Sequence, residues 1–89
     1  MEIKSVMVIG AGTMGNGIAH TFAQNGFSVV LCDAFESALQ KGMKTIEGNL
    51  ARQLKKGTIT EEIMNNTLGN IKTTLDMNDG KDVDLVVEA

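Results

Sequence analysis

The stretch Val6-Met7-Val8-Ile9-Gly10-Ala11-Gly12-Thr13-Met14-Gly15 decides how the rest of this 89-residue sequence is read. Its first four residues form a short continuous apolar run, the pattern of a strand buried on both faces of a parallel sheet. The run stops at Gly10 and enters a G-x-G-x-x-G loop. Beyond it, from Met14 to Asn25, the apolar residues Ile18, Ala19, Phe22 and Ala23 recur at helical spacing. Asn25-Gly26 supplies a C-terminal stop in which Gly26 can take positive φ. Phe27 to Cys32, with Val29, Val30 and Leu31, gives a second buried strand that runs into Asp33.

Glycines at this spacing occur in many loops, so the motif gains its meaning from context. It follows a buried strand, opens a helix, and is followed by an acid, Asp33, 18 residues after Gly15. Each position has a physical task. Gly10 permits the tight strand-to-helix turn, Gly12 lacks a Cβ and lets a pyrophosphate approach the backbone, and Gly15 lets the helix pack closely on the sheet. The free N–H groups and the positive end of the helix dipole stabilise the phosphates, the dipole contributing about 0.3–1 kcal/mol. Asp33 can accept hydrogen bonds from both hydroxyls of an adenine ribose, and its charge repels a 2′-phosphate. No Arg stands at Ala34 or Phe35 to welcome one, so NAD is favoured over NADP. The candidate cofactor-binding residues are therefore Gly10, Ala11, Gly12, Thr13, Met14, Gly15 and Asp33. The bland alternatives are a ligand-free turn for the glycines and a turn or cap role for Asp33.

Outward from this unit, Leu39, Met43, Ile46, Leu50 and Leu54 recur at intervals of 4, 3, 4 and 4, predicting an amphipathic helix from about Glu36 to Lys56. Lys41, Lys44, Glu47, Arg52 and Lys55 fall on its other face. Gly57 ends it. Thr58 and Glu61 are spaced as a capping box for a short helix from about Thr60 to Leu68. Ile71 to Thr74 reads as a third strand, Asp76 to Gly80 as a polar turn, and Val83 to Glu88 as a fourth buried strand. The fold class is α/β, a Rossmann-type doubly wound parallel sheet truncated after about four strands. A chain that stops beside a hydrophobic central strand leaves Leu85, Val86 and Val87 without their next crossover. Residues 1–89 thus read as the N-terminal portion of a nucleotide-binding domain.

The 43% hydrophobic and 21% charged residues describe an ordinary globular chain, neither disordered nor membrane-spanning. A net charge of −3 argues against nucleic acid as the main partner. Cys32 is the single cysteine, so no internal disulfide and no cysteine-based metal cluster is expected, and no metal ligand set is assigned. That usage fits a reducing, cytoplasmic setting. No signal peptide or membrane anchor is expected. Met7 in the first strand and Met43 on the apolar helix stripe read as core filling.

The run Val8-Ile9-Gly10-Ala11-Gly12-Thr13-Met14-Gly15-Asn16-Gly17-Ile18-Ala19 resembles the opening of 3-hydroxyacyl-CoA dehydrogenases, including the bacterial 3-hydroxybutyryl-CoA enzymes. Val29-Val30-Leu31-Cys32-Asp33, the long helix closing on Leu54-Lys55-Lys56-Gly57, and Asp84-Leu85-Val86-Val87-Glu88-Ala89 match that family's pattern in order and spacing. The resemblance implies oxidation of a 3-hydroxyacyl-CoA to the 3-ketoacyl-CoA, with hydride transfer to NAD, in fatty-acid or butanoate metabolism. It also implies that the catalytic His and Glu, the assisting Ser and Asn, and a Glu contacting the nicotinamide half all lie downstream of Ala89. No catalytic residue is assigned within the chain, which is expected to be inactive alone. His20 lies on the first helix about a turn and a half beyond the loop and is expected to be a structural residue, as is Cys32. By the same resemblance Asn49 and Lys56 are candidate CoA-binding residues, although some members carry Ser at the position of Asn49. Against that stands the reading of Lys41, Lys44, Arg52, Lys55 and Lys56 as a solvated face. The family also implies a homodimer formed through a helical C-terminal domain. Two alternatives remain: a non-catalytic dinucleotide-binding module, and a dehydrogenase of the 3-hydroxyisobutyrate or 6-phosphogluconate type.

Overall fold

The apolar runs become four parallel strands in the computed structural model, which describes residues 2–89. These are β1 (Ser5–Ile9), β2 (Ser28–Cys32), β3 (Ile71–Thr74) and β4 (Leu85–Glu88). Their order across the sheet is β3-β2-β1-β4. The chain thus steps outward from β1 to β2 to β3 and then crosses back to the far side of β1. That reversal beside β1 is where ligands bind in open α/β sheets, in the crevice at the carboxyl ends of the strands.

Register and pleat sort the side chains onto two faces. Val6 pairs with Val29 and Leu85, Val8 with Leu31 and Val87, and Val29 with Ile71. Because strand residues alternate faces, these side chains point one way. They form one core with Ala19, Ala23, Leu39, Ile46 and Leu50 from the helices. Those helices are α1 (Thr13–Gln24), α2 (Glu36–Lys56) and α3 (Glu61–Gly69), which pack on one another and on this face. Phe22 of α1 and Phe27 at the entry to β2 add an edge-to-face pair with centroids 5.2 Å apart.

The opposite face carries Met7, Ile9, Val30, Cys32 and Val86. Among the described residues it is covered only by a 3₁₀ turn, Met77–Gly80. Gly80 sits on the Met7 side chain so closely that a Cβ there would lie 2.0 Å from Met7 Sδ. Val86 is 52% exposed. The doubly wound arrangement expected from the sequence is present here as one helix-covered face and one largely open face.

Chain ends and turns refine the expected boundaries. Gly26 and Gly57 take φ of +91° and +77°, the left-handed conformation that stops α1 and α2. The Gly57 amide donates to the Leu54 carbonyl and the Thr58 amide to the Gln53 carbonyl, the paired bonds of a Schellman ending. Thr58 is therefore spent on α2, its hydroxyl also donating to Gln53. The capping box expected from Thr58 and Glu61 does not form. Thr60 is the N-cap of α3 instead, its hydroxyl accepting from the Ile63 amide. The fourth strand begins at Leu85 rather than Val83, because the Asp84 carboxylate turns back to accept from the Lys4 and Ser5 amides.

Candidate functional site

The glycine loop joins the end of β1 to the start of α1. Gly10 has φ +103°, a backbone conformation that L side chains rarely adopt, and its amide donates to the Cys32 carbonyl at 2.7 Å. This bond ties the loop to the end of β2. Ala89, just past β4, donates from its amide to the Ile9 carbonyl at 2.9 Å, and a Cβ on Gly10 would come 3.1 Å from the Ala89 carbonyl oxygen. The carboxyl ends of β1, β2 and β4 therefore meet at this loop.

The two remaining glycines differ in what surrounds them. A Cβ on Gly15 would fall 1.6 Å from the Gly10 carbonyl oxygen, so α1 can start against the loop only with a bare α-carbon there. Gly12 is the N-cap of α1, with φ −66° and ψ −168°, and a Cβ on it would meet nothing within 4 Å. The protein itself does not require glycine at 12. The open space lies at the N-terminus of a twelve-residue helix with no acidic residue in its first turn. By helix geometry the amides of Thr13, Met14 and Gly15 lack intrahelical acceptors. The arrangement suits an anion seated on the backbone.

Asp33 closes the site from the β2 side. Its Oδ2 accepts from the Ala11 amide at 2.9 Å and its Oδ1 from the Phe35 amide at 3.0 Å. These bonds, Ala11 first, hold its carboxyl below the usual carboxylate range, so it is ionised at neutral pH. Both oxygens keep further lone-pair directions, and the residue is half-exposed. The turn role and the ligand-facing role are thus compatible in one carboxylate. Of the seven residues expected at the cofactor site, Gly12, Thr13 and Met14 are exposed and Gly10 and Asp33 half-buried, whereas Ala11 and Gly15 are buried.

A family model described as the NAD-binding domain of 3-hydroxyacyl-CoA dehydrogenase matches residues 5–89. The chain belongs to this family. It is 52% identical over 86 residues to a 3-hydroxybutyryl-CoA dehydrogenase of Bradyrhizobium diazoefficiens, covering 97% of this chain and 29% of that protein. It is 43% identical over 88 residues to a peroxisomal fatty acid beta-oxidation multifunctional protein of Oryza sativa, covering 99% of this chain and 12% of that one. The crystal structure of (S)-3-hydroxybutyryl-CoA dehydrogenase from Ralstonia eutropha superposes with a TM-score of 0.96 at 42% identity, over 99% of this chain and 31% of that one. The 89 residues span less than a third of these relatives.

Within this dehydrogenase-family chain, Asn49, Lys56 and His20 lie apart from the loop, while Cys32 adjoins it through its carbonyl. Asn49 and Lys56 stand two turns apart on α2. Measured from Gly42, which touches the loop, Lys56 is 14 residues or roughly 21 Å further along the helix. Asn49 Oδ1 accepts from the Arg52 guanidinium, and Lys56 is exposed. His20 Nε2 shares a 2.7 Å hydrogen bond with Gln24 Oε1 on the same helix. Burial, and then the carboxylates of Asp33, Asp76 and Asp79, push the Cys32 thiol up, which disfavours the reactive thiolate. No helix of the described residues is long and apolar enough to cross a membrane.

Two site residues escaped the sequence reading. Asn16 is buried, and its Nδ2 donates to the Gly12 carbonyl at 2.8 Å, bracing the loop's N-cap from inside the helix. Gly42, in the middle of α2, lets that helix approach so closely that a Cβ would lie 2.8 Å from the Ala11 carbonyl oxygen. The available signal was a glycine interrupting a strong helical pattern, though Gly48 interrupts the same helix and meets nothing.

Proposed function

We propose that this chain binds NAD as the dinucleotide half-site of an oxidoreductase that interconverts 3-hydroxyacyl-CoA and 3-ketoacyl-CoA. The observation that carries the reading is the vacant space over Gly12, a glycine no neighbouring atom demands, at the amide-rich end of α1 and framed by ionised Asp33. In the complex the amides of Thr13, Met14 and Gly15 hold the pyrophosphate, and Asp33 accepts from the adenine ribose hydroxyls. Bound NAD would supply the hydride acceptor for oxidation at the substrate's 3-hydroxyl carbon. The residues of this chain bind and orient the cofactor, and none is given a proton-transfer role; His20 is engaged with Gln24 on α1.

Membership of the family and the names of the relatives support a short 3-hydroxyacyl-CoA as substrate. We place Asn49 and Lys56 on the path of its CoA nucleotide, with Lys56 pairing a phosphate. We further infer that 1–89 is the N-terminal portion of the NAD-binding domain of a cytoplasmic homodimer.

Calorimetric titration tests the core of this. NAD is expected to bind, and NADP at least about tenfold more weakly, because a 2′-phosphate meets the Asp33 charge. Equal affinities refute the role of Asp33, and binding of neither refutes the half-site.

A further inference from the structure

Phe35 stands two residues beyond Asp33 as the N-cap of α2, and its side chain is 70% exposed. A large apolar ring in water beside an ionised carboxylate has no packing role in these residues. Its backbone, by contrast, is fixed from both sides. The Phe35 amide donates to Asp33 Oδ1 at 3.0 Å, and its carbonyl accepts from the Ala38 and Leu39 amides at 3.1 and 3.3 Å. The ring is therefore mounted on a rigid turn that the ribose-binding carboxylate itself closes.

Its surroundings on the rim are mixed, with Asp76 and Asp79 standing near Asp33 and the Cys32 thiol among exposed apolar side chains. β3 ends beside β2, with the Asp33 amide donating to the Thr74 carbonyl at 3.2 Å. Leu75, next in the chain, is 54% exposed and Met77 is 62% exposed. Leu75 thus follows directly on the carboxyl end of β3, beside Asp33, whereas Met77 opens the 3₁₀ turn on the opposite face of the sheet. A base carried on a ribose that Asp33 holds stands within reach of the Phe35 ring, because the Phe35 amide is bonded to that same carboxylate. No acid or base on Phe35 reads a base's edge, but a flat ring offers its face to any purine.

We propose that Phe35 forms an aromatic wall of the adenine subsite and stacks against the base. This rests on the NAD-binding reading above and adds the residue that holds the adenine. The fixed backbone leaves only the two side-chain torsions of Phe35 to be ordered by the stack.

Phe35→Ala tests it cleanly, because the side chain is exposed and the backbone amide that serves Asp33 is retained. Calorimetry with NAD, AMP and nicotinamide mononucleotide on the 89-residue chain separates the two halves of the cofactor. The dissociation constants of NAD and AMP are expected to rise about fivefold or more in Phe35→Ala, that of the mononucleotide to stay unchanged, and Phe35→Trp to restore tight binding. Nuclear Overhauser contacts from the adenine protons to the Phe35 ring are expected in the wild-type complex. The ring is one of three phenylalanines, and the other two are packed on each other. NAD binding to the wild type with no loss in Phe35→Ala overturns this proposal alone. Failure of the folded wild type to bind NAD overturns the half-site and this proposal with it.

Discussion

Replacing Gly15 or Gly12 with alanine separates what the loop does for the fold from what it does for a ligand. In Gly15→Ala the new methyl carbon stands 1.6 Å from the Gly10 carbonyl oxygen, about 1.4 Å inside the 3.0 Å that real Cβ atoms respect. The obstacle is backbone, and it cannot swing away. Gly10 is held at φ +103°, with its amide bonded to Cys32. The start of α1 must therefore lift from the sheet, carrying Asn16 off the Gly12 carbonyl. Overpacking costs about 1–3 kcal/mol, and a carbonyl obstacle places this case near 3. At roughly 4–8 °C per kcal/mol for a domain of this size, Tm falls by about 12–24 °C. Gly12→Ala is the reverse case. Its φ of −66° suits alanine and its Cβ meets nothing, so stability is unchanged or rises by about 0.4–1 kcal/mol through the unfolded chain. The same methyl occupies the space through which the pyrophosphate approaches, so NAD affinity falls at least about tenfold, or 1.4 kcal/mol. Thermal unfolding followed by circular dichroism and NAD calorimetry on both variants decide the matter. A Gly15→Ala chain as stable as the wild type, or a Gly12→Ala chain that binds NAD normally, would refute the reasoning for that position.

The same contrast operates within α2. Gly48→Ala meets no atom within 4 Å and is expected to raise stability by about 0.5–1 kcal/mol, whereas Gly42→Ala, with its Cβ 2.8 Å from the Ala11 oxygen, loses that gain and unfolds at lower urea than the wild type. Backbone hydrogen bonds lower the folded-state pKa of Asp33 and of Asp84, so the unfolded chain takes up these protons first as pH falls. Their stabilisation is thus full above about pH 4 and is lost below it; Asp84→Asn should flatten the acid limb of a Tm-against-pH profile. The Cys32 thiol, raised by burial and neighbouring carboxylates, should react with a disulfide reagent at neutral pH far more slowly in the folded chain than in urea, and equal rates would show it accessible. Calorimetry with CoA should show weaker binding to Lys56→Ala than to the wild type, and identical affinities remove Lys56 from the CoA path.

Much of the candidate site's architecture was legible in the sequence, because the residues that build it are local in the chain. The run Val6–Ile9, the glycines at 10, 12 and 15, and the helical period after them dictate a strand, a turn and a helix N-terminus with little help from elsewhere. The 3.6-residue stripe from Leu39 to Leu54 likewise fixes α2 and the face it buries. Boundaries were less secure wherever a side chain had two possible backbone partners. Thr58 has Glu61 three residues on, the capping-box spacing, whereas Thr60 directly precedes Glu61 and Glu62 and has Ile63 at that distance. Only the Schellman ending of α2, by claiming Thr58 for Gln53, leaves Thr60 as the cap of α3.

What tertiary structure alone decided are the contacts between residues far apart in the chain. The sequence by itself determined a parallel α/β unit with a glycine loop at the head of its first helix and an acid at the end of its second strand. It does not say that β4 returns to the far side of β1, that Gly42 of α2 rests on Ala11, or that Asp33 divides its carboxylate between Ala11 and Phe35. Those facts depend on which surfaces meet once the helices dock. Close approach of backbones leaves no periodic mark in a sequence, only a glycine whose reason appears when its neighbour does.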